Sequence, residues 1–549
     1  MKKRILAMIL ALVMVIVLSA CGAPAANDAP NAPAEATPNA GGAGNDIQVD
    51  EAPVVEAVTA GTVEGSVLHA YIPSEMTNDQ VTPWAGGMWS RNYAIPTSMF
   101  DGLIAYNNGD RGDLVEGLAT SWDISDDGLT YTFHLRDGVQ FHNGDPFTAK
   151  DVIATFDYMM QYEAAQSGYS QVESWTAPDD STVVFTLSAP WSSFLYYLSG
   201  QNCPILNARL IEQYGESNAA CVGTGAYMLD KVDSGASVTL KANPNYWKTP
   251  AEIETIIVYY IGNKDTAFMA LKTGELDFMY NMDEIQADEA KTIDGLSTFS
   301  YLKENAECLW FNAADESLTP EIRQALYYLI DNEEAALAGF GEYGVPVDQA
   351  WIPEFGGYVD PAELTYPKET NAEKGLQILA DAGIEPSDLT ITILYPTVAT
   401  QRVSLAENIQ AQLAQYGINV VLDARDWMSC RGALMANEYQ CLIWDTEPAL
   451  STPIVTYTWV FKDGGFNLAN ISNGNPALYE QIMDLINQAD TLNDVDARNE
   501  LFQEITKLMN DNMMFVPLTT NITTIAYNSD FNCYYNHDHG EFYYWSING

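Results

Sequence analysis

The sequence predicts a mixed α/β protein of two or three lobes, carried behind a secretory leader and a polar tether. Three observations point there. About 485 residues follow the tether, more than one hydrophobic core can serve. Hydrophobic residues make up 47% of the chain and aromatic residues 11%, a globular composition. Along the body, helical and strand patterns alternate, and the strands are of both the half-buried and the continuously apolar kind.

The leader comes first. Lys2, Lys3 and Arg4 precede an almost unbroken apolar run at 5–18, followed by Leu18-Ser19-Ala20-Cys21. Basic, apolar, then small is the layout of a secretory signal peptide, expected over 1–20. The apolar run is short of the ~20 residues that a spanning helix needs. A cysteine directly after Leu-Ser-Ala resembles the bacterial lipobox. That resemblance implies cleavage before Cys21 and acylation of its sulfur. Each methylene buried in the bilayer then contributes about 0.8 kcal/mol. Residues 21–63 are rich in Ala, Pro, Asn and Gly and read as a flexible tether. No later apolar run is long enough to span a membrane.

Charge limits the partners. The chain has 74 acidic and 24 basic residues, a formal net charge of −50. Nucleic acid and anionic headgroups are therefore poor partners for the body, which should meet the membrane through its lipid anchor only. Seven cysteines are present. With Cys21 assigned to lipid, Cys203, Cys221, Cys308, Cys430, Cys441 and Cys533 remain. Cys203 with Cys221 and Cys430 with Cys441 are near enough in sequence to pair, and scattered free thiols are the equal alternative.

The elements then run in order. Strands are expected at 67–72 and at 130–135, where Thr, Tyr, Thr, Phe, His and Leu alternate. A helix at 149–160 starts from Thr148 as N-cap. Strands follow at 182–187, 237–241 and 253–261. Next come a helix at 265–273 closed by Gly274, a helix at 320–331 opened by Pro320, and a strand at 389–395. An amphipathic helix at 402–416 ends at Gly417, and a strand follows at 418–423. A helix at 496–510 leads to a strand at 514–518. The Asp-Gly and Asn-Gly pairs at 127–128, 137–138 and 143–144 are turn formers. Gly223-Thr224-Gly225 lacks the Gly-Lys-Ser/Thr of a phosphate loop. Arg323 is expected to pair with a nearby carboxylate.

Several blocks carry a resemblance. The first runs from Phe100-Asp101-Gly102-Leu103 through Gly117-Leu118-Ala119-Thr120-Ser121-Trp122 and Asp126-Asp127-Gly128-Leu129-Thr130-Tyr131-Thr132-Phe133 to Asp145-Pro146-Phe147-Thr148-Ala149-Lys150-Asp151-Val152. Then come Val222-Gly223-Thr224-Gly225-Ala226-Tyr227, Asn243-Pro244-Asn245-Tyr246-Trp247, Leu271-Lys272-Thr273-Gly274-Glu275-Leu276-Asp277, Ile322-Arg323-Gln324-Ala325-Leu326 and Tyr416-Gly417-Ile418-Asn419-Val420. In content and order, over about 65–536, they resemble the family 5 solute-binding proteins of bacterial ABC importers, the oligopeptide, dipeptide and nickel binders. Ala226 stands where that family usually has Pro.

The resemblance implies an α/β, two-lobed periplasmic-binding-protein-like clamshell of class II (cluster C type), with an extra subdomain in lobe I. Lobe I would comprise 64–97, 200–295 and 520–549, the inserted subdomain 98–199, and lobe II 296–519. Crossings near 295 and 520 would form a hinge that closes on ligand. It also implies a lipid-anchored, monomeric capture protein on the outer face of the cytoplasmic membrane, or in the periplasm if there is an outer membrane. Its solute would be a short peptide, delivered to a permease with its ATPase. A nickel or metal chelate, an oligosaccharide, or a sensory role for the same clamshell are the alternatives.

In the family's peptide binders an acid soon after a lobe II Trp takes the peptide ammonium. The matching segment here is Trp444-Asp445-Thr446-Glu447, with shorter spacing than usual, so either Asp445 or Glu447 fills the role. The chemistry is a charge-assisted hydrogen bond between carboxylate and ammonium. Further candidates for ligand contact are Trp89 and Arg91 after the first strand, Glu304 and Asn305 at the lobe II mouth, and Tyr457 and Trp459. Core packing is the alternative for the aromatics.

No catalytic role, cofactor or metal site is expected. The five histidines are His69, His134, His142, His537 and His539. His537-Asp538-His539 has no third ligand in view, and neither His-Glu-x-x-His nor Gly-x-Ser-x-Gly occurs.

Overall fold

The computed structural model describes residues 62–549 apart from 74–93, 108–109, 163–165, 167, 201, 215–221, 281, 354–355, 447–452, 464, 493, 534–541 and 548–549. Cys21, Trp89, Arg91, Cys221, Glu447 and the His537-Asp538-His539 run lie outside the described residues.

One lobe is built on two four-stranded sheets. In the first, Val63–Ile72 pairs in parallel with Ile253–Tyr260, and Ser237–Ala242 and Tyr227–Asp233 follow antiparallel. The second is antiparallel, in the order Ala119–Ile124, Thr130–Leu135, Thr182–Leu187, Val172–Asp179. Its period-2 pattern works as expected: Tyr131, Phe133 and Leu135 point inward and His134 outward. Phe133 meets Phe185 edge-on at 5.8 Å. The helix Ala149–Met159 lays Val152, Phe156 and Met159 on this sheet. Asp151 accepts the Thr148 N–H at 2.8 Å and the Ala208 N–H at 2.9 Å, fastening that helix to Ala208–Tyr214. Both sheets share one core.

Three of the sequence blocks meet in space at Asp101. Its carboxylate accepts from Thr224 Oγ1 at 2.8 Å, Trp247 Nε1 at 2.9 Å and the Tyr246 hydroxyl at 3.2 Å. Gly223 and Gly225 lie flat against the backbone of Met99, where a Cβ on either would collide with it. Glycine is required at both for close approach rather than for an unusual φ.

The other lobe is organised around a mixed sheet. Glu307–Phe311 runs antiparallel to both Cys441–Asp445 and Phe515–Asn528. Thr390–Pro396 runs parallel to Cys441–Asp445 and to Asn419–Arg425. Alternate side chains feed two cores. One holds Leu309, Phe311, Ile391 and Ile393 against Leu405 and Ile409, and the other holds Cys308, Trp310, Leu442 and Trp444. The strand Phe515–Asn528 joins the lobes. Its first half pairs with Glu307–Phe311 and Gly344–Pro346, its second with Leu296–Leu302 and Phe278–Met279.

The structure corrects three expectations and decides one alternative left open. The helix expected at 320–331 ends at Leu329; Ile330 is extended, and the Asp331 carboxylate instead caps Asn332–Phe340 by accepting the Glu333 and Glu334 N–H groups. The strand expected at 514–518 continues to Asn528. Arg323 finds no carboxylate among the described residues: its guanidinium donates to the carbonyls of Leu318 at 2.9 Å and Asn512 at 3.4 Å. Cys203, Cys308, Cys430, Cys441 and Cys533 are free thiols, so Cys430 and Cys441 do not pair.

Candidate functional site

The site grows from a strand pair. In the antiparallel register Glu307 stands opposite Asp445, and Cys308 opposite Trp444. Two like charges directly opposite on a ladder repel. Arg402 resolves this. It projects from the first turn of the helix Thr400–Ala414, on the face that also buries Leu405, Ala406 and Ile409. Its Nε donates to Glu307 Oε2 at 2.9 Å and Oε1 at 3.0 Å, and its terminal nitrogen pairs with Asp445 Oδ2 at 2.9 Å. Arg402 and Glu307 are buried, whereas the Asp445 side chain keeps 14% of its surface accessible. Asp445 is therefore the member of the cluster that a molecule from outside can touch.

Burial pushes the Glu307 carboxyl up to about 7, opposed by Arg402 and reinforced by the neighbouring Asp445. Burial acts on Asp445 in the same direction, but Arg402 and Lys303 outweigh it and hold that carboxyl below its usual value. Arg402 remains a cation: burial disfavours its charge, yet both carboxylates restore it. With all three ionised, the cluster carries one net negative charge.

Asn305 completes the acceptor set. Its Nδ2 donates to Asp445 Oδ2 at 3.2 Å, which fixes the orientation of the amide. Its Oδ1 is then turned away, buried, and accepts no hydrogen bond among the described residues. Thr446 staples the two segments together: its N–H donates to the Ala306 carbonyl at 3.0 Å, and its hydroxyl to that of Ala350 at 2.8 Å.

An aromatic wall flanks these groups. Trp444 is buried under the Arg402 guanidinium at 4.9 Å and stacks on Trp427 at 5.1 Å. Phe466 lies 5.9 Å from Trp444, and Trp459 5.5 Å from Phe466. Trp427, Phe466 and Trp459 are half-buried.

The structure thus brings together Trp444, Asp445 and Asn305, with Trp459 at the far end of the wall. Glu304 is half-buried beside Asn305. Tyr457 is wholly buried in the core, stacked on Phe502 at 4.6 Å and beside Trp351 at 4.5 Å. Trp89, Arg91 and Glu447 lie outside the described residues. Sequence reasoning missed Arg402, Glu307 and Trp427. Two of them carried a signal: Arg402 sits on the apolar stripe of an amphipathic helix, and Glu307 heads an otherwise apolar strand. Charges in such places are paired or functional.

Among the described residues no group of three His, Cys, Asp or Glu is placed to hold a metal ion, and no helix is long and apolar enough to cross a membrane. His142 is structural, with its ring between the Gly223 N–H at 3.2 Å and the Gly225 carbonyl at 3.0 Å.

Comparison with known proteins places this architecture. The chain is 25% identical over 487 residues to the probable D,D-dipeptide-binding periplasmic protein DdpA of Escherichia coli, covering 84% of this chain and 92% of that one. Its fold matches NikA from Brucella suis, solved with Fe(III)-EDTA, with a TM-score of 0.77 at 19% identity, covering 88% of this chain and all of the other. It also matches DppA from Helicobacter pylori, solved with the peptide STSA, with a TM-score of 0.71 at 24% identity, covering 88% of this chain and 98% of that one. These neighbours share the two-lobed α/β clamshell. The model of the bacterial extracellular solute-binding proteins, family 5, matches residues 113–467, most of the chain, and the protein belongs to that family.

Proposed function

We propose that this family 5 solute-binding protein captures short peptides with a free amino terminus and delivers them to an ABC permease, acting as a lipoprotein anchored through Cys21. The observation that carries the peptide reading is the pair of acceptors at Asp445 and Asn305. One is a carboxylate held ionised, the other a buried carbonyl oxygen with no partner among the described residues. An ammonium has three donors and no acceptor, so it suits a site that offers acceptors. Leaving such an oxygen unmet costs about 1–3 kcal/mol, which a bound donor recovers. The aromatic wall from Trp427 to Trp459 supports the same reading, since it offers apolar area without demanding one side chain. Relatives named for dipeptides and for di- and tripeptides agree with it.

The test is binding of a dipeptide library and of its N-acetylated counterparts, followed by thermal shift and calorimetry. Free-amine peptides should raise the melting temperature by linkage to the bound state. Asp445→Asn should weaken them about tenfold or more while changing acetylated peptides little. Shifts by sugars or metal chelates alone, or equal losses for both peptide forms, would overturn the peptide reading.

A further inference from the structure

Asp445 alone does not explain why the site keeps a negative charge. Arg402 lies 2.9 Å from it and, as a lone partner, would cancel that charge. The second carboxylate decides the balance. Glu307 contacts Arg402 Nε through both oxygens and is almost entirely buried, so it reaches Arg402 but not the outside. We propose that Glu307 is the specificity-determining residue for ligand charge: by occupying Arg402 from behind, it leaves Asp445 a net negative group toward the ligand and selects solutes with a cationic end. This rests on the reading of Asp445 as the ammonium acceptor.

The geometry separates the roles. Asp445 touches the ligand. Arg402 orients Asp445, with its guanidinium plane fixed on Trp444 at 4.9 Å. Glu307 acts through Arg402 and is a positioning residue. From the elements around Glu307, the titratable or charged groups are Arg402 on the helix, Asp445 on the facing strand, the Cys308 thiol next in sequence and Lys303 before the strand. On its other side Glu307 pairs with Thr519, which does not titrate. Without Glu307, Arg402 would be left with Asp445 as its carboxylate partner among the described residues, and the pair would be neutral.

The cluster also links binding to protons. Burial holds the Glu307 carboxyl up near 7. A bound cation would pull it down and release a proton. Affinity for free-amine peptides should therefore rise from pH 5.5 to 7.5, below the range of about 7.7–8.0 in which the ligand's own α-amino group titrates.

The experiment compares wild type, Glu307→Gln and Asp445→Asn with the tightest-binding member of a dipeptide library and its N-acetyl form. Glu307→Gln keeps the shape and one acceptor for Arg402. It should weaken the free-amine peptide about tenfold, a typical effect of one unit charge at this range in a partly buried site. It should change the acetylated peptide less than twofold. A second readout needs no variant: the calorimetric enthalpy of wild type at pH 6.5 should depend on the buffer's ionisation enthalpy, reporting proton release. If Asp445→Asn abolishes discrimination while Glu307→Gln leaves discrimination and the pH profile intact, Glu307 has no such role and the peptide reading stands. If both variants keep the wild-type discrimination between free-amine and acetylated peptides, the reading of Asp445 falls as well.

Discussion

Glu307 is a residue whose burial, partner and neighbour all bear on one proton. Unfolded, it titrates near its ordinary 4.5; folded, near 7. Below pH 4.5 both states hold the proton and the contribution to stability is present in full. As pH rises toward 7, the unfolded chain ionises first, so folding loses about 3 kcal/mol across that window. Asp445 acts in the opposite sense and lower on the scale. Its carboxyl is depressed, so its contribution is present above 3.8 and is lost as acid takes the pH below the depressed value. The expected outcome is a wild-type stability, from urea unfolding, that declines between pH 4.5 and 7.5. In Glu307→Gln that decline should be shallower by the share of Glu307, because glutamine does not titrate and Arg402 keeps Asp445 as its partner. Identical slopes in the two proteins would show that the proton is bound elsewhere.

At the scale of elements, the strand Phe515–Asn528 shows where sequence patterns stop short. Periodicity marks its start, because Phe515, Val516 and Leu518 are buried apolar residues. It then falls silent over Thr519-Thr520-Asn521-Ile522-Thr523-Thr524, where polar residues dominate. They still form strand because β-branched threonine fits a pleated surface and because the hydroxyls find partners. Thr519 donates to the Val345 carbonyl at 3.0 Å, Thr520 to that of Lys303 at 2.9 Å, and Thr524 meets the Ser300 hydroxyl at 2.9 Å. Those partners are distant in sequence, so no local pattern could announce them. Other strands and helices were legible from alternation and capping, as at 130–135 and at Gly274, which adopts the left-handed conformation at its helix end. Thr520→Val keeps the β-branch and removes one buried hydrogen bond. It should cost about 1 kcal/mol and speed amide exchange in Leu296–Leu302 as well as in the strand itself. Faster exchange confined to residue 520 would show that the hydroxyl does not brace the joint.

At the scale of the whole molecule, the lobes meet in a second place that no motif foretold. The Ser192 N–H donates to the Asp490 carbonyl at 2.6 Å, and the Ser193 hydroxyl and N–H donate to its carboxylate at 2.9 and 3.3 Å. Tyr197 packs into the cores of both lobes beside this contact. The family blocks made the lobes legible and gave Trp444 and Asp445 of the candidate site. Contacts between residues far apart in the chain, 297 positions for Ser193 and Asp490 and 95 for Glu307 and Arg402, leave no local trace. Separation of the two elements at this contact would break the hydrogen bonds of Asp490. Burial raises the Asp490 carboxyl, against the Ser193 and Ser192 hydrogen bonds that lower it. The apposed form therefore binds the proton more tightly than an opened, solvated one. Its advantage is complete below the ordinary aspartate value of 3.8 and fades as pH rises through the raised value. Asp490→Ala removes the carboxylate acceptor and should enlarge the ligand-free radius of gyration in small-angle scattering. It should also weaken every ligand by a similar factor of about three to ten, whether or not the ligand carries an amine. Asp490→Asn keeps an acceptor and sheds the desolvated charge, so it should stay as compact as wild type at pH 8. An unchanged radius in Asp490→Ala would mean that the contact accompanies lobe apposition without stabilising it.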